Sequence, residues 1–228
     1  MTSPHGWSIA ARFVTPPERA LASGTPTQVA PTLGYDAIQD LVRAIPFRPR
    51  LSRFIFLRHG ETEGNRKGVY QFPETPLNAA GEAQAAEAAS ILALASISRV
   101  VASPMMRAWR TAAVVTDGRD ITPEPDAALQ ERMYIGLFGT PVGTLDWRVD
   151  PPACESLETF VHRTGHGLSR WLAREDDPEG DLLLVSHGGV LLVLAALTGV
   201  DLHTELRRNA TPILFQRASG GWEATAAG

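Results

Sequence analysis

The chain lacks most features that mark a membrane, secreted or nucleotide-binding protein. Only one cysteine, Cys154, occurs among 228 residues, so no internal disulfide can form, which suits the reducing cytoplasm. No apolar run reaches the roughly 18 residues that a membrane-crossing helix needs, and no membrane partner is expected. The nearest run, Leu182 to Leu197, is interrupted by Ser186-His187-Gly188-Gly189 and reads as a buried strand, a turn and a buried helix. The N-terminus lacks the compact apolar stretch of a secretory signal, although its few acids and many small residues faintly resemble a transit peptide. Positive charge is not in excess: 25 acidic residues outnumber 21 basic ones, giving a net charge of -4. That balance argues against broad nucleic-acid binding and leaves room only for a local basic pocket. The phosphate-loop pattern G-x-x-x-x-G-K-[ST] is also absent.

What is present describes a globular chain. Hydrophobic residues make up 44% and charged residues 20%, and the length supports one self-sufficient core. Residues 1–35 carry Pro4, Pro16, Pro17, Pro26 and Pro31 without sustained periodicity, which reads as an extension draped on the surface or mobile. A short helix is expected over 36–45, where Ile38, Leu41, Val42 and Ile45 share a face, and Pro46 and Pro49 then break the chain. The expected division is therefore an N-terminal extension of 1–50 and a main domain of 51–228.

In that domain, short apolar strands alternate with helical patterns. Strands are expected at 53–57, 100–102, 181–185 and 212–216, and helices at 78–94, around 107–115, at 156–173 and at 190–197. Gly165 and Gly167 weaken the middle of the third helix. The alternation predicts a three-layer α/β/α sandwich on a mainly parallel sheet, with chemistry in the crevice at the strand carboxyl ends.

Three strand ends carry polar groups. The first offers Arg58, His59 and Gly60, followed by Glu61, Thr62 and Asn65; the second offers Ser103 and, one turn later, Arg107; the third offers Ser186, His187, Gly188 and Gly189. Neighbouring strands would gather two arginines and two histidines at one edge. Arginine forks suit phosphate oxygens, Gly60 and Gly188 would let the backbone approach an anion, and a neutral imidazole is a competent nucleophile. Each residue alone has a plainer reading as a surface ion-pair partner, a satisfied polar group or a tight turn. Only their shared position makes a phosphate site the better reading.

The run Leu57-Arg58-His59-Gly60-Glu61-Thr62-Glu63-Gly64-Asn65 closely resembles the signature of the histidine phosphatase superfamily, the phosphoglycerate-mutase-like proteins. The resemblance continues through Thr75-Pro76-Leu77-Asn78 with Gly81, Ala102-Ser103-Pro104 with Arg107 and Thr111-Ala112, Leu129-Gln130-Glu131-Arg132, and Val185-Ser186-His187-Gly188-Gly189. These matches keep the family's order from about residue 53 to 215. The resemblance implies that His59 becomes phosphorylated, that Arg58, Arg107 and His187 bind the phosphoryl group with Asn65 as a further contact, and that Glu131 is the proton donor and later the base. Gly188 is counted with the phosphate-binding residues. Spacing alone does not separate Glu131 from an ordinary loop carboxylate. The arginines would supply positive charge, so neither a metal nor a cofactor is expected.

Some features depart from the family pattern. Tyr134-Ile135-Gly136-Leu137-Phe138-Gly139 replaces the acidic or tryptophan-rich stretch that often follows the catalytic glutamate, and Glu74 stands where aspartate is common. The N-terminal extension of about 50 residues also falls outside the pattern. His162 and His166 have the spacing of helical metal ligands but lack the accompanying glutamate, and read as a solvated face. Ser186 is not a hydrolase elbow, because Leu184 stands where glycine is needed. Tyr70, Phe72, Tyr134, Phe138 and Trp147 fall near the expected mouth, either to select an apolar or aromatic substrate or as ordinary packing. The leading expectation is a phosphatase acting on a small phosphorylated metabolite, with a homodimer as the partner arrangement considered. The alternatives are a phosphoglycerate-type mutase and a non-catalytic phospho-ligand binder.

Overall fold

The computed structural model describes residues 32–143, 146–175 and 179–227. The proline-rich stretch before residue 32 lies outside them.

The six-stranded sheet runs in the order β3-β2-β4-β1-β5-β6, with β1 at Arg53–Arg58, β2 at Ile97–Ala102, β3 at Glu124–Pro125, β4 at Asp181–Ser186, β5 at Pro212–Ala218 and β6 at Gly221–Ala226. The β3–β2, β2–β4 and β4–β1 pairings are parallel, whereas β1–β5 and β5–β6 are antiparallel. The expected α/β sandwich is thus present, with an antiparallel flank that the alternation of strands and helices did not forecast.

Strand periodicity divides the core between two faces. Phe54 and Phe56 of β1 and Leu184 of β4 point one way, into a cluster with α1 (Tyr35–Val42), α5 (Leu157–Leu172) and α6 (Gly188–Thr198). Ile55 and Leu57 of β1, with Leu183 and Val185 of β4, point the other way, against α3 (Ala79–Leu92) and α4 (Met106–Thr116). These two faces and the sheet are the three layers.

Helix starts follow local chemistry. Asn78 caps α3 by accepting from Gly81 N–H at 2.8 Å, and Ser156 caps α5 by accepting from Thr159 N–H at 3.1 Å. A short helix that the sequence pattern did not announce, α2 (Glu63–Lys67), is fixed by a reciprocal capping box between Thr62 and Asn65. Gly165 and Gly167 sit inside α5 despite their poor helix propensity because neighbours occupy the space. A Cβ on Gly165 would lie 2.3 Å from Ile45 Cδ1, and one on Gly167 would lie 2.4 Å from Ala128 Cβ. Helix α1 lies upstream of the expected domain start at residue 51. Even so, Ile38, Val42 and Ile45 are buried in the same cluster as Phe54 and Leu168.

Among the described residues, no helix is long and apolar enough to cross a membrane. His162 and His166 stand on α5 with ring centroids 6.1 Å apart, and no acid, thiol or further imidazole joins them into a metal-binding group among the described residues.

Candidate active site

The three parallel neighbours β2, β4 and β1 end together. Arg58 is paired with Ser186, and Ala102 with Val185. One residue further on, His59 N–H donates to Ser186 O and Ser103 N–H to Val185 O, each at 2.9 Å. The register of the ladder therefore places Arg58, His59, Ser103 and His187 at one edge, and the first turn of α4 brings Arg107 onto them.

His59 is buried, and its Nδ1 lies 2.7 Å from Gly60 O. A carbonyl oxygen can only accept, so Nδ1 carries the proton and Nε2 keeps its lone pair. Arg107 Nε–H meets that nitrogen at 3.3 Å. Burial, then the charges of Arg107 and Arg58, hold the imidazole pKa well below its ordinary value despite the opposing Gly60 hydrogen bond. His59 is thus neutral at physiological pH.

His187 stands edge to face with it, ring centroids 5.1 Å apart at 61°. Its Nε2 lies 2.8 Å from Ser103 Oγ, whose oxygen also accepts from Met105 N–H at 3.3 Å. Its Nδ1 is buried without a partner. Burial first, then Arg107, His59, Arg58 and Arg163, lower the His187 pKa well below its usual value. Arg58 Nη1 donates to Arg207 O at 2.7 Å, while its Nε is likewise buried and unpartnered. Unpartnered buried polar atoms are costly, and both residues stand close to His59.

Glu131 arrives from outside the strand ends. Its Oε2 accepts from Gly189 N–H at 2.9 Å and its Oε1 from Arg132 N–H at 3.0 Å. A Cβ on Gly189 would come within 2.2 Å of Glu131 Oε1, so this position needs glycine. Asn65 Oδ1 accepts from Thr62 N–H at 3.2 Å and faces Asn209 Nδ2 at 3.4 Å, which leaves Asn65 Nδ2 as the group offered to the cavity.

One expectation is corrected. Gly60 does not offer its backbone to an anion: its N–H donates to Thr111 Oγ1 at 3.1 Å, and a Cβ there would fall 2.4 Å from Gly81 O. Its missing side chain serves the close approach of the β1 end to α3. Gly188 opens α6 beside Arg58, where a Cβ would make an ordinary 3.6 Å contact with Nε.

A cavity of about 230 Å³ opens over Arg58, His59, Asn65, Arg107 and Glu131. Tyr70, Tyr134, Phe138 and Trp147 line it, as the sequence allowed; Phe72 does not, being half exposed and tilted against Phe138 with ring centroids 4.8 Å apart. Trp147 also packs on Phe160 in the core.

Three supporting residues carry no sequence signal of their role. Asn209 Nδ2 donates to His59 O at 2.8 Å, reaching it because antiparallel β5 runs beside β1. Arg132 is fully buried and donates to the carbonyls of Glu155, Trp147 and Val149 at 2.9, 3.2 and 3.1 Å, and to Asp150 Oδ1 at 2.5 Å. Arg163 donates to the carbonyls of Gln130 and Glu131 at 2.9 and 3.2 Å while gripping the Glu155 carboxylate at 2.8 Å.

The model of the histidine phosphatase superfamily, branch 1, matches residues 54–226. The chain belongs to that superfamily. It is 34% identical over 160 residues to an adenosylcobalamin/alpha-ribazole phosphatase of Salmonella typhimurium, covering 63% of this chain and 78% of that protein. It is also 34% identical over 184 residues to an agropine synthesis reductase of Rhizobium rhizogenes, and this match covers 75% of the chain but only 41% of the relative. The superfamily member thus spans less than half the length of that relative. Among solved structures, a mycobacterial glucosyl-3-phosphoglycerate phosphatase complexed with VO3 shares the fold with a TM-score of 0.63 at 24% identity, covering 77% of this chain and 98% of that one. This chain shares the phosphoglycerate-mutase-like α/β architecture of its solved structural neighbours.

Proposed function

We propose that this superfamily member is a phosphomonoesterase working through a phosphohistidine on His59. The observation that carries the reading is a buried, neutral His59 whose Nε2 lone pair meets Arg107, with His187 edge to face against it and the charge of Arg58 close by. The names of the relatives support hydrolysis of a phosphoester, since the Salmonella and mycobacterial proteins are both called phosphatases.

In the first step the phosphoryl group sits among Arg58, Arg107, His187 and Asn65. Nε2 of His59 forms a bond to phosphorus as the ester P–O bond breaks, and the Glu131 carboxyl gives its proton to the leaving oxygen. The charge spreading over the transferred group meets guanidinium groups already in place, so little reorganisation is needed. In the second step water attacks phosphorus, its proton passes to the Glu131 carboxylate, and the N–P bond breaks to release inorganic phosphate.

Phosphate release from p-nitrophenyl phosphate and from a panel of phosphorylated metabolites, measured on the wild type and on His59→Ala, tests the reading. Equal rates for the two proteins would remove His59 as nucleophile. Interconversion of phosphoglycerates without phosphate release would replace hydrolysis with mutase chemistry.

A further inference from the structure

We infer that Arg163 is the positioning residue for the Glu131 proton donor: its guanidinium fork, anchored on α5, fixes the backbone from which Glu131 serves the leaving oxygen. This rests on the phosphatase reading above and adds to it a residue that touches no substrate.

Glycine brings α5 close to that backbone. A Cβ on Gly167 would lie 2.4 Å from Ala128 Cβ, so helix and loop approach more closely than a side chain there would allow. Arg163 stands one helical turn earlier on the same face of α5. From there its Nη1 donates to the carbonyls of Ala128 and Gln130 at 3.1 and 2.9 Å, and its Nη2 to the Glu131 carbonyl at 3.2 Å.

The fork is itself held. Its Nε and Nη2 each meet the Glu155 carboxylate at 2.8 Å, and the two side chains are only 24% and 11% exposed. Glu155 in turn grips Met133: Oε2 accepts from Met133 N–H at 3.1 Å, and Glu155 N–H donates to Met133 O at 2.7 Å. Glu131 is therefore pinned at its own carbonyl and again two residues further on. A two-pronged arginine–carboxylate pair fixes direction as well as distance, and proton transfer is sensitive to both.

Neither Arg163 nor Glu155 lines the cavity over His59. Both Glu155 oxygens are engaged by Arg163 and Met133, so Glu131 is the carboxyl group left to face the substrate. Arg132 has a different task, since its donors go to Trp147, Val149, Glu155 and Asp150. Leu129 O stays tied to β4 by Ser186 Oγ at 2.7 Å, so loss of Arg163 should loosen Glu131 without releasing the whole segment.

The test compares kcat/KM for benzyl phosphate, whose alkoxide needs a proton to leave, with that for p-nitrophenyl phosphate, whose phenolate leaves unaided. Their ratio, taken on one preparation, does not depend on how much of the protein is folded. Glu131→Gln tests the parent reading, and its benzyl to p-nitrophenyl ratio should fall by about 10²-fold or more. In Arg163→Met the same ratio should fall by about tenfold, with the inhibition constant of inorganic phosphate unchanged. A wild-type ratio in Arg163→Met beside a lowered one in Glu131→Gln overturns the inference and leaves the phosphatase reading standing. An unchanged ratio in Glu131→Gln removes the proton donor itself, and the inference with it. Arg163→Lys keeps the positive charge that His187 feels but not the fork. Its ratio should stay low, and full recovery would overturn the assignment to the fork.

Discussion

The floor of the cavity rests on three strand ends, whereas its roof, residues 131–143 and 146–149, hangs on two arginines. On the floor, His59 and Ser103 are placed by backbone bonds that continue the β-ladder. In the roof, Arg132 and Arg163 gather the carbonyls of Gln130, Glu131, Trp147, Val149 and Glu155. Ladder register is set by periodicity and burial, and it tolerates little drift. A loop held by side-chain donors can change its lining while keeping its anchors. On the proposed phosphatase reading, the floor supplies the nucleophile and most of the phosphate contacts, and the roof supplies Glu131 and the side chains beside the rest of the substrate.

Substitutions can separate the two. The largest effect is expected from His59→Ala, which should abolish phosphate release while the far-ultraviolet spectrum stays native. Next, Glu131→Gln should lower kcat by about 10²–10⁴-fold in steady-state assays, with the melting temperature close to wild type. Gly189→Ala probes where floor meets roof: its Cβ would displace a Glu131 oxygen from a 2.2 Å approach, and kcat should fall by about 10²-fold. Breaking the roof alone, Arg132→Met leaves several buried carbonyls without donors. It should lower stability in urea titrations by about 2–4 kcal/mol, with the floor still able to bind inorganic phosphate.

The smallest effect is a pH slope. His59 and His187 stay neutral in the fold because burial and arginine charge depress their pKa values, whereas in the unfolded chain they take up protons near 6.5. Below that pH the unfolded state binds more protons, so stability is complete above about 6.5 and declines toward the lower folded values. Urea midpoints between pH 7.5 and 5 should fall, and the slope should flatten in His187→Gln.

The same division decided what could be read in the sequence. Arg58, His59, Arg107 and His187 stood out because each follows an apolar strand or sits one turn beyond it, and neighbouring parallel strands must end together. Asn209 escaped because its place depends on β5 returning antiparallel beside β1, a long-range pairing with no local signal. The edge strand β6 has too few apolar residues to show a period, although Trp222 packs on Phe54 at 5.4 Å. Arg132 gave no sign of its role beyond its place in the Leu129-Gln130-Glu131-Arg132 run, since its partners are groups spread over residues 147–155. Glu131 was identified by family resemblance alone. The glycines of α5 looked like defects until Ile45 and Ala128 were seen filling their space.

The Ile45–Gly165 contact has a practical consequence. A shortened protein that starts where the family match starts, near residue 54, would take away the cover over Gly165 and uncover apolar surface on α5 and α6. Expression trials would meet it as poor solubility, and the shortest well-behaved version should begin upstream of Tyr35.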